Sequence, residues 1–187
     1  MTLFLVYVLL ILQLLVTLGI AIYLIGSFIS ITFCRGVPYV PIYDEDIKLM
    51  KENLKLIPGK TIIDLGCGDG KALRLFVKHL GIKKAVGYDI NFAAIWFGKF
   101  INKIYKINNI ELFHGNFLNI SIEKYDYIYI YLLTEYMERI EDFVFKNMGD
   151  NTVIISNTFK FKNHKPFKII QNKKGKDRIL LYNKNSL

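Results

Sequence analysis

The apolar positions of the chain follow two different patterns, and the change comes near residue 35. From Met1 to Cys34 there is no charged side chain, and the run LFLVYVLLILQLLVTLGIAIYLIGSFISITF is predominantly apolar. A helix rises about 1.5 Å per residue and needs about 20 apolar residues to cross the hydrocarbon core, so this run is long enough to span a membrane. Two other readings stay open. One is a cleaved signal peptide, although the basic start is missing, and the other is a buried core helix.

The charges beside this run predict its orientation. No basic residue precedes it, whereas four follow it closely: Arg35, Lys48, Lys51 and Lys55. Basic side chains favour the cytoplasmic side of a span. We therefore expect a single-pass protein of the cell membrane, with the rest of the chain in the cytoplasm.

After residue 35, helical and strand-like patterns alternate. Apolar spacing predicts helices at 44–57, 70–80, 92–106 and 134–147. Five short apolar runs predict strands, TIIDLG, KAVGYDI, IELFHG, YDYIYIYLL and NTVIISNTF, and the tail FKIIQNKKGKDRILLYN predicts two more. Such alternation is typical of a doubly wound α/β fold with a mostly parallel sheet covered on both faces. The predicted units are an anchor at 1–34, an extended proline segment with the first helix at 35–57, and the main domain at 58–187.

A glycine-rich turn follows the first predicted strand, in KTIIDLGCGDGKALRLF (60–76). The dinucleotide pattern G-x-G-x-x-G fails because its third glycine is Lys71, and no P-loop G-K-[ST] follows. The pattern that fits is D-x-G-x-G-x-G, formed by Asp64, Gly66, Gly68 and Gly70. Glycines let backbone approach a ligand closely, and a helix amino terminus offers unpaired amides. A carboxylate beside this turn suits a ligand with an ammonium group and a ribose.

The next two strands end in residues suited to a nucleoside. Asp89 ends AVGYDI, close to where an acidic residue reaches ribose hydroxyls in such folds. Asn116 and Phe117 follow the third strand, where an amide can pair with a purine edge and a ring can cover its face. Each signal is weak alone, because an Asp after a strand is a common cap and Gly-Asn a common turn. Together, at successive strand ends, they predict a nucleoside site.

These residues resemble the class I, seven-stranded S-adenosylmethionine-dependent methyltransferases. The succession of an apolar anchor, VPYVP, DLGCGDG, AVGYDI and YIYLLTEYMERIEDFVF resembles the small membrane-anchored prokaryotic methyltransferases more narrowly. It is also similar to their mitochondrial relatives, which methylate lysines of the adenine nucleotide translocase and of the c-ring protein of the ATP synthase. The resemblance implies a Rossmann-like methyltransferase fold without a helix before the final hairpin, and S-adenosyl-L-methionine as cofactor.

The resemblance also implies roles for particular residues. The proline segment, Pro38 to Pro41, would line the methionine end of the cofactor, with Tyr39 contributing to catalysis. The full set of cofactor-binding residues would be Pro38, Tyr39, Asp64, Gly66, Cys67, Gly68, Gly70, Asp89, Ile90, Asn116 and Phe117. Two of these depart from the common family pattern: Asn116 stands where Asp is frequent, and Cys67 where Ser or Ala is frequent.

The end of the fourth strand, YLLTEYM, is the expected acceptor side. Tyr131 and Thr134 are the candidate catalytic residues there, although Tyr131 could equally belong to the sheet core. The Asn/Asp-Pro-Pro-aromatic motif of enzymes that methylate base or glutamine amines is absent, which favours protein lysine ε-amines. The three histidines have no ligand spacing, so no metal site is expected. Two alternatives stay open: methylation of a lipid or quinone head group, and a binding module that transfers nothing.

Charge is concentrated at the carboxyl end. The chain has a formal net charge of +9, and nine basic residues lie between Lys160 and Lys184 against the single acid Asp177. A solvated face is one interpretation. Contact with anionic lipid beside the anchor is another, since each basic residue near such a surface contributes about 1 kcal/mol. Nucleic acid binding ranks third, because few aromatic side chains stand among these lysines.

Overall fold

The computed structural model describes residues 2–33 and 42–186. Its first element is the long helix α1 (Thr2–Phe33). Within it, Phe4–Gly26 is a stretch of 23 residues with mean hydropathy 2.7, none of it buried, and it is the one candidate membrane span among the described residues. The alternative of a buried core helix is therefore wrong. The proline segment predicted to close the site, including Pro38 and Tyr39, lies outside the described residues.

Seven strands form one sheet. They are β1 (Thr61–Leu65), β2 (Lys84–Asp89), β3 (Ile110–His114), β4 (Tyr127–Ile130), β5 (Val153–Asn157), β6 (Lys168–Gln171) and β7 (Asp177–Tyr182). Their order is β3-β2-β1-β4-β5-β7-β6. The first five strands pair in parallel, and β7 runs antiparallel to both β5 and β6. This confirms the predicted doubly wound, mostly parallel sheet. The strand order reverses between β1 and β4, and ligands bind at the carboxyl ends of strands beside such a reversal.

Four further helices pack on the sheet: α2 (Asp44–Asn53), α3 (Lys71–His79), α4 (Phe92–Ile104) and α5 (Thr134–Asn147). The first predicted helix ends four residues early because Leu54 adopts an extended conformation and packs into the core. The amide of Ile57 then donates to the Tyr127 hydroxyl at 3.0 Å, which pulls this segment along β4. Tertiary contacts here outweigh helical spacing.

The two faces of the sheet are covered unequally. One core cluster joins α2, α3 and α4 to alternate strand residues such as Ile62 and Tyr129, and the other joins α5 to Ile63 and Ile128. Residues 158–167 contain no helix, as the resemblance implies. Only a single 3₁₀ turn (Phe117–Asn119) follows β3, so the second face is open beside β2 and β3. A depression of about 330 Å³ lies there, away from the glycine turn.

Candidate active site

The glycine turn connects the buried end of β1 to the start of α3. Gly66, Gly68 and Gly70 have φ values of +89°, +54° and +78°, in the left-handed region that only glycine enters without strain. Gly70 is the residue immediately before α3, so the turn runs directly into a helix amino terminus. The three glycines of the predicted motif therefore shape the backbone at the carboxyl edge of the sheet.

Asp89 is bonded to this turn. It is the last residue of β2, and its carboxylate accepts hydrogen bonds from the backbone amides of Gly68 and Asn91, both at 2.7 Å. Burial raises the pKa of the Asp89 carboxyl, and the bonds from these amides oppose that rise. The residue predicted to meet a ribose thus also fixes the conformation of the turn.

Asp64 is a buried carboxylate at the end of β1. The residue is 2% exposed, and no hydrogen bond or ion pair joins its carboxylate to another residue that the structure describes. Burial raises the pKa of Asp64 well above its ordinary value, and the nearby charges of Asp89 and Asp69 add to the effect. A buried carboxylate without a partner is costly, so this position favours a positively charged group. The donor set therefore fits the ammonium of S-adenosylmethionine.

Three residues that the sequence analysis missed hold the turn from outside. Arg74 of α3 forms an ion pair with Asp69 at 2.6 Å and also donates to the Asp69 carbonyl at 2.6 Å. Gly98 lets α4 approach the same place, because a Cβ at that position would lie 2.3 Å from the Asp69 carbonyl oxygen. The available signals are an opposite charge five residues after Asp69 and an isolated glycine inside an apolar helix.

Cys67 turns its side chain away from the carboxyl edge. The residue is 7% exposed, and a Cβ on Gly87 of β2 would lie 2.6 Å from its Sγ. Burial raises the pKa of the thiol well above its ordinary value, and Asp64 adds to this. Cys67 could therefore reach a ligand through its backbone.

The remaining predicted nucleoside residues lie beside β2 and β3. Ile90 is 41% exposed, and its carbonyl is 3.1 Å from His114 Nε2. Asn116 is exposed and caps the 3₁₀ turn, accepting from the Leu118 amide at 3.0 Å. Phe117 is half-buried against the second core cluster. The cap uses the side-chain oxygen of Asn116, which leaves its amide nitrogen as the group that could meet a purine.

The acceptor side adjoins the turn through the end of β4. A Cβ on Gly66 would lie 2.8 Å from Leu132 Cδ2, so the two segments are in close contact. Tyr131 is half-buried, with its ring centroid 5.9 Å from that of Phe159, and burial raises the pKa of its hydroxyl. Thr134, the first residue of α5, is exposed. Among the described residues no group of three or more His, Cys, Asp or Glu is placed to hold a metal ion.

A buried ion pair holds α2 beside this region. Asp46 is 1% exposed, and Arg178 of β7 donates to it through Nε at 2.7 Å and also through Nη2. Asn157, the last residue of β5, contacts both Asp46 and the Tyr129 hydroxyl. The next residue, Thr158, has φ +70°, a strained value for a side chain branched at Cβ. These contacts join residues far apart in the sequence, so no local pattern predicts them.

Comparison with known proteins places this geometry in a family. The profile of the ANTKMT methyltransferase domain matches residues 64–168, more than half of the chain. A protein-lysine N-methyltransferase of Saccharolobus islandicus is 29% identical over 152 residues, which cover 81% of this chain and 94% of that protein. A lysine N-methyltransferase of Xenopus laevis, named for the C component of the ATP synthase, is 26% identical over 149 residues, which cover 78% of this chain and 63% of that protein.

Solved structures with the same fold are also methyltransferases. An RNA methyltransferase from Salinibacter ruber, in complex with S-adenosyl-L-homocysteine, superposes with a TM-score of 0.68 at 20% identity and covers 77% of this chain and 93% of that one. A ribosomal protein L11 methylase from Lactobacillus delbrueckii subsp. bulgaricus gives 0.61 at 18% identity, covering 75% and 77%. At this identity the likeness shows the fold alone. With the match at 64–168, the chain belongs to the ANTKMT methyltransferase-domain family and is an S-adenosylmethionine-dependent methyltransferase, as its motifs predict.

Proposed function

We propose that this enzyme methylates lysine ε-amines of a protein at the cytoplasmic face of the membrane. The observation that carries the acceptor class is the half-buried pair of Tyr131 and Phe159, which lies at the carboxyl edge of the sheet next to the glycine turn. The names of the Saccharolobus and Xenopus relatives, both lysine methyltransferases, support the same acceptor.

Two carboxylates would hold opposite ends of the cofactor. Asp64 would pair with the ammonium of the methionine part, because it is a buried negative charge without a partner among the described residues. Asp89 would accept from the ribose hydroxyls while keeping its bond to Gly68. Asn116 and Phe117 would meet the adenine. When bound, the cofactor supplies an activated methyl group, and the chain has to position the acceptor and exclude water.

The acceptor lysine must arrive unprotonated. A partly apolar entrance lined by Tyr131 and Phe159 lowers the pKa of an entering amine through desolvation. Burial raises the pKa of the Tyr131 hydroxyl, so it stays protonated at neutral pH and acts as part of the wall rather than as a base. Thr134 lies at the exposed start of α5, where it would contact the peptide that carries the lysine. The catalytic contribution of Tyr39 belongs to the same proposal.

Membrane attachment is the second component of the proposal. The exposed apolar stretch Phe4–Gly26 supports a single span, and the basic residues that follow it support a cytoplasmic domain. The chain would then divide into an anchor at 1–34, a connecting segment with the first helix at 35–57, and the catalytic domain at 58–187. The basic residues of the carboxyl tail would add attraction to anionic lipid.

Labelling with tritiated S-adenosylmethionine tests the acceptor class. The full chain is expressed in membranes, incubated with labelled cofactor and separated into solvent-extractable lipid and protein. We expect label on protein, released as methyl-lysine after acid hydrolysis, and no label with the Gly66→Arg variant. Label confined to the lipid fraction would make a lipid or quinone head group the acceptor. Cofactor binding without label in either fraction would indicate a silent binding module.

A protease experiment tests the orientation. Protease added to intact cells should leave the catalytic domain whole, and protease added after lysis should digest it. Digestion of the domain in intact cells would overturn the cytoplasmic assignment.

A further inference from the structure

Helix α4 carries an apolar face that the fold leaves uncovered. Its inner side is buried on the sheet through Ile95, Gly98 and Asn102. Its outer side leaves about half or more of each of five large apolar side chains exposed: Phe92, Trp96, Phe97, Phe100 and Ile104. Soluble surfaces rarely present so many large apolar groups together, so this outer face marks an interaction surface.

The composition of the face fits the interfacial layer of a membrane. Trp96 and Phe100 stack with their rings parallel at 6.0 Å, and Phe92 continues the same stripe one turn earlier. Aromatic rings are enriched at the level of lipid headgroups. Two exposed lysines, Lys99 and Lys103, lie along one edge of the stripe, where they can meet anionic headgroups.

The position of the face relative to α1 points to the same occupant. The apolar stretch Phe4–Gly26 is about 34 Å long at 1.5 Å per residue, close to the thickness of the hydrocarbon core, so Gly26 lies near its boundary. A Cβ on Gly26 would lie 3.8 Å from Cβ of Ala93, in the first turn of α4. The start of α4 therefore lies at the depth where the chain leaves the hydrocarbon.

We propose that the outer face of α4, defined by Phe92, Trp96, Phe97, Phe100 and Ile104, rests in the interfacial layer of an anionic bilayer beside α1. The inference rests on the membrane attachment proposed above and adds an orientation of the domain. Helix α4 packs on β2 and β3, at one edge of the sheet, whereas β6 of the basic tail forms the other edge. Six strand spacings separate the two edges, about 29 Å, so the two surfaces can be tested separately.

Trp96 reports on this contact directly, because it is the one tryptophan of the whole sequence. The full chain is reconstituted into vesicles of phosphatidylcholine and phosphatidylglycerol, with and without bromine atoms on the upper part of the acyl chains. We expect bromine to reduce the Trp96 emission about twofold, since an interfacial helix buries its apolar face by about 5–10 Å. Emission that bromine leaves unchanged would overturn the inference.

A matched pair of variants and an extraction complete the test. Phe92→Ser with Phe100→Ser should weaken the quenching by bromine, whereas Phe167→Ser with Ile169→Ser removes exposed apolar groups at the β6 edge and should leave it unchanged. Equal effects of the two double variants would contradict the proposal. Alkaline carbonate separates the failures. A chain that stays with the vesicles without quenching overturns the α4 contact alone, and a chain that washes off overturns the anchor and the contact together.

Discussion

The carboxylate of Asp89 accepts a hydrogen bond from the backbone amide of Gly68 at 2.7 Å. This bond joins the end of β2 to the glycine turn after β1, so the group proposed to hold the ribose also maintains the backbone that the ligand approaches. Substitution at Asp89 therefore changes both the ligand contact and the turn. Substitutions at other positions separate backbone strain from ligand binding.

Gly66 and Gly59 form such a matched pair. Their φ values are +89° and +82°, so alanine strains the backbone equally at both. A Cβ on Gly66 lies 2.8 Å from Leu132 Cδ2, whereas a Cβ on Gly59 meets nothing within 4 Å. We expect each alanine variant to lower the free energy of unfolding by about 1–2 kcal/mol, and only Gly66→Ala to weaken binding of S-adenosylhomocysteine in calorimetry. Equal affinities for the two variants would dissociate Gly66 from the cofactor site.

Asp64→Asn should stabilise the ligand-free protein at neutral pH. The folded-state pKa of Asp64 lies well above its ordinary value of 3.8, so the protonated carboxyl is the favoured folded form. Its contribution to stability is complete below the unfolded-state pKa and is lost as the pH rises through the folded-state pKa. Thermal unfolding without cofactor should show the variant more stable than the wild type at about pH 7.5, by about 1 kcal/mol, and a smaller difference at about pH 4.5. A variant less stable than the wild type at neutral pH would mean that Asp64 has a compensating partner in the protein.

Two substitutions at Tyr131 distinguish its ring from its hydroxyl. If the ring forms the wall of the acceptor entrance, Tyr131→Phe should keep turnover within about threefold of the wild type, and Tyr131→Ala should lower it more than about tenfold. Both variants should bind S-adenosylhomocysteine normally. Label incorporation into membrane protein gives the turnover. Equal losses in the two variants would show that the hydroxyl takes part in the reaction.

The ion pair between Asp46 and Arg178 should dominate the attachment of α2. Asp46→Asn leaves the partly buried Arg178 without its charge partner, and we expect the free energy of unfolding to fall by about 3 kcal/mol. Lys48→Gln is the control, since it removes an exposed pair with Glu52 at 3.9 Å and should cost less than about 0.5 kcal/mol. Urea unfolding of the full chain in detergent, followed by near-ultraviolet circular dichroism, gives both values. Similar losses would show that the pair contributes no more than a surface contact.

Local patterns account for most of the fold. The seven strands and the four helices of the domain are predictable because each has its own apolar period and ends at recognisable residues. The boundaries depend on contacts that no local pattern contains. The predicted helix at 44–57 ends at Asn53 because the next residues extend to reach Tyr127. The predicted helix at 92–106 ends at Ile104, and Lys106 has φ +52°, outside the helical region.

The candidate site divides in the same way. The glycine turn and Asp89 are predictable because their spacing lies within one β-α-β unit. The bond of Asp46 to Arg178 is not, because 132 residues separate the partners. The aromatic residues of α4 also give a misleading signal, since large apolar side chains at helical spacing usually indicate a core face, and here the inner face is formed by Ile95, Gly98 and Asn102.

Titration with two ligands tests the central claim, that Asp64 and Asp89 hold opposite ends of one cofactor. S-adenosylhomocysteine carries both the nucleoside and the amino acid, whereas 5′-methylthioadenosine lacks the ammonium group. Calorimetry on the full chain should show that Asp64→Asn weakens binding of S-adenosylhomocysteine about tenfold or more and leaves 5′-methylthioadenosine unaffected, while Asp89→Asn weakens both. Equal losses for the two ligands in Asp64→Asn, or unchanged affinity for both in Asp89→Asn, would contradict the assignment.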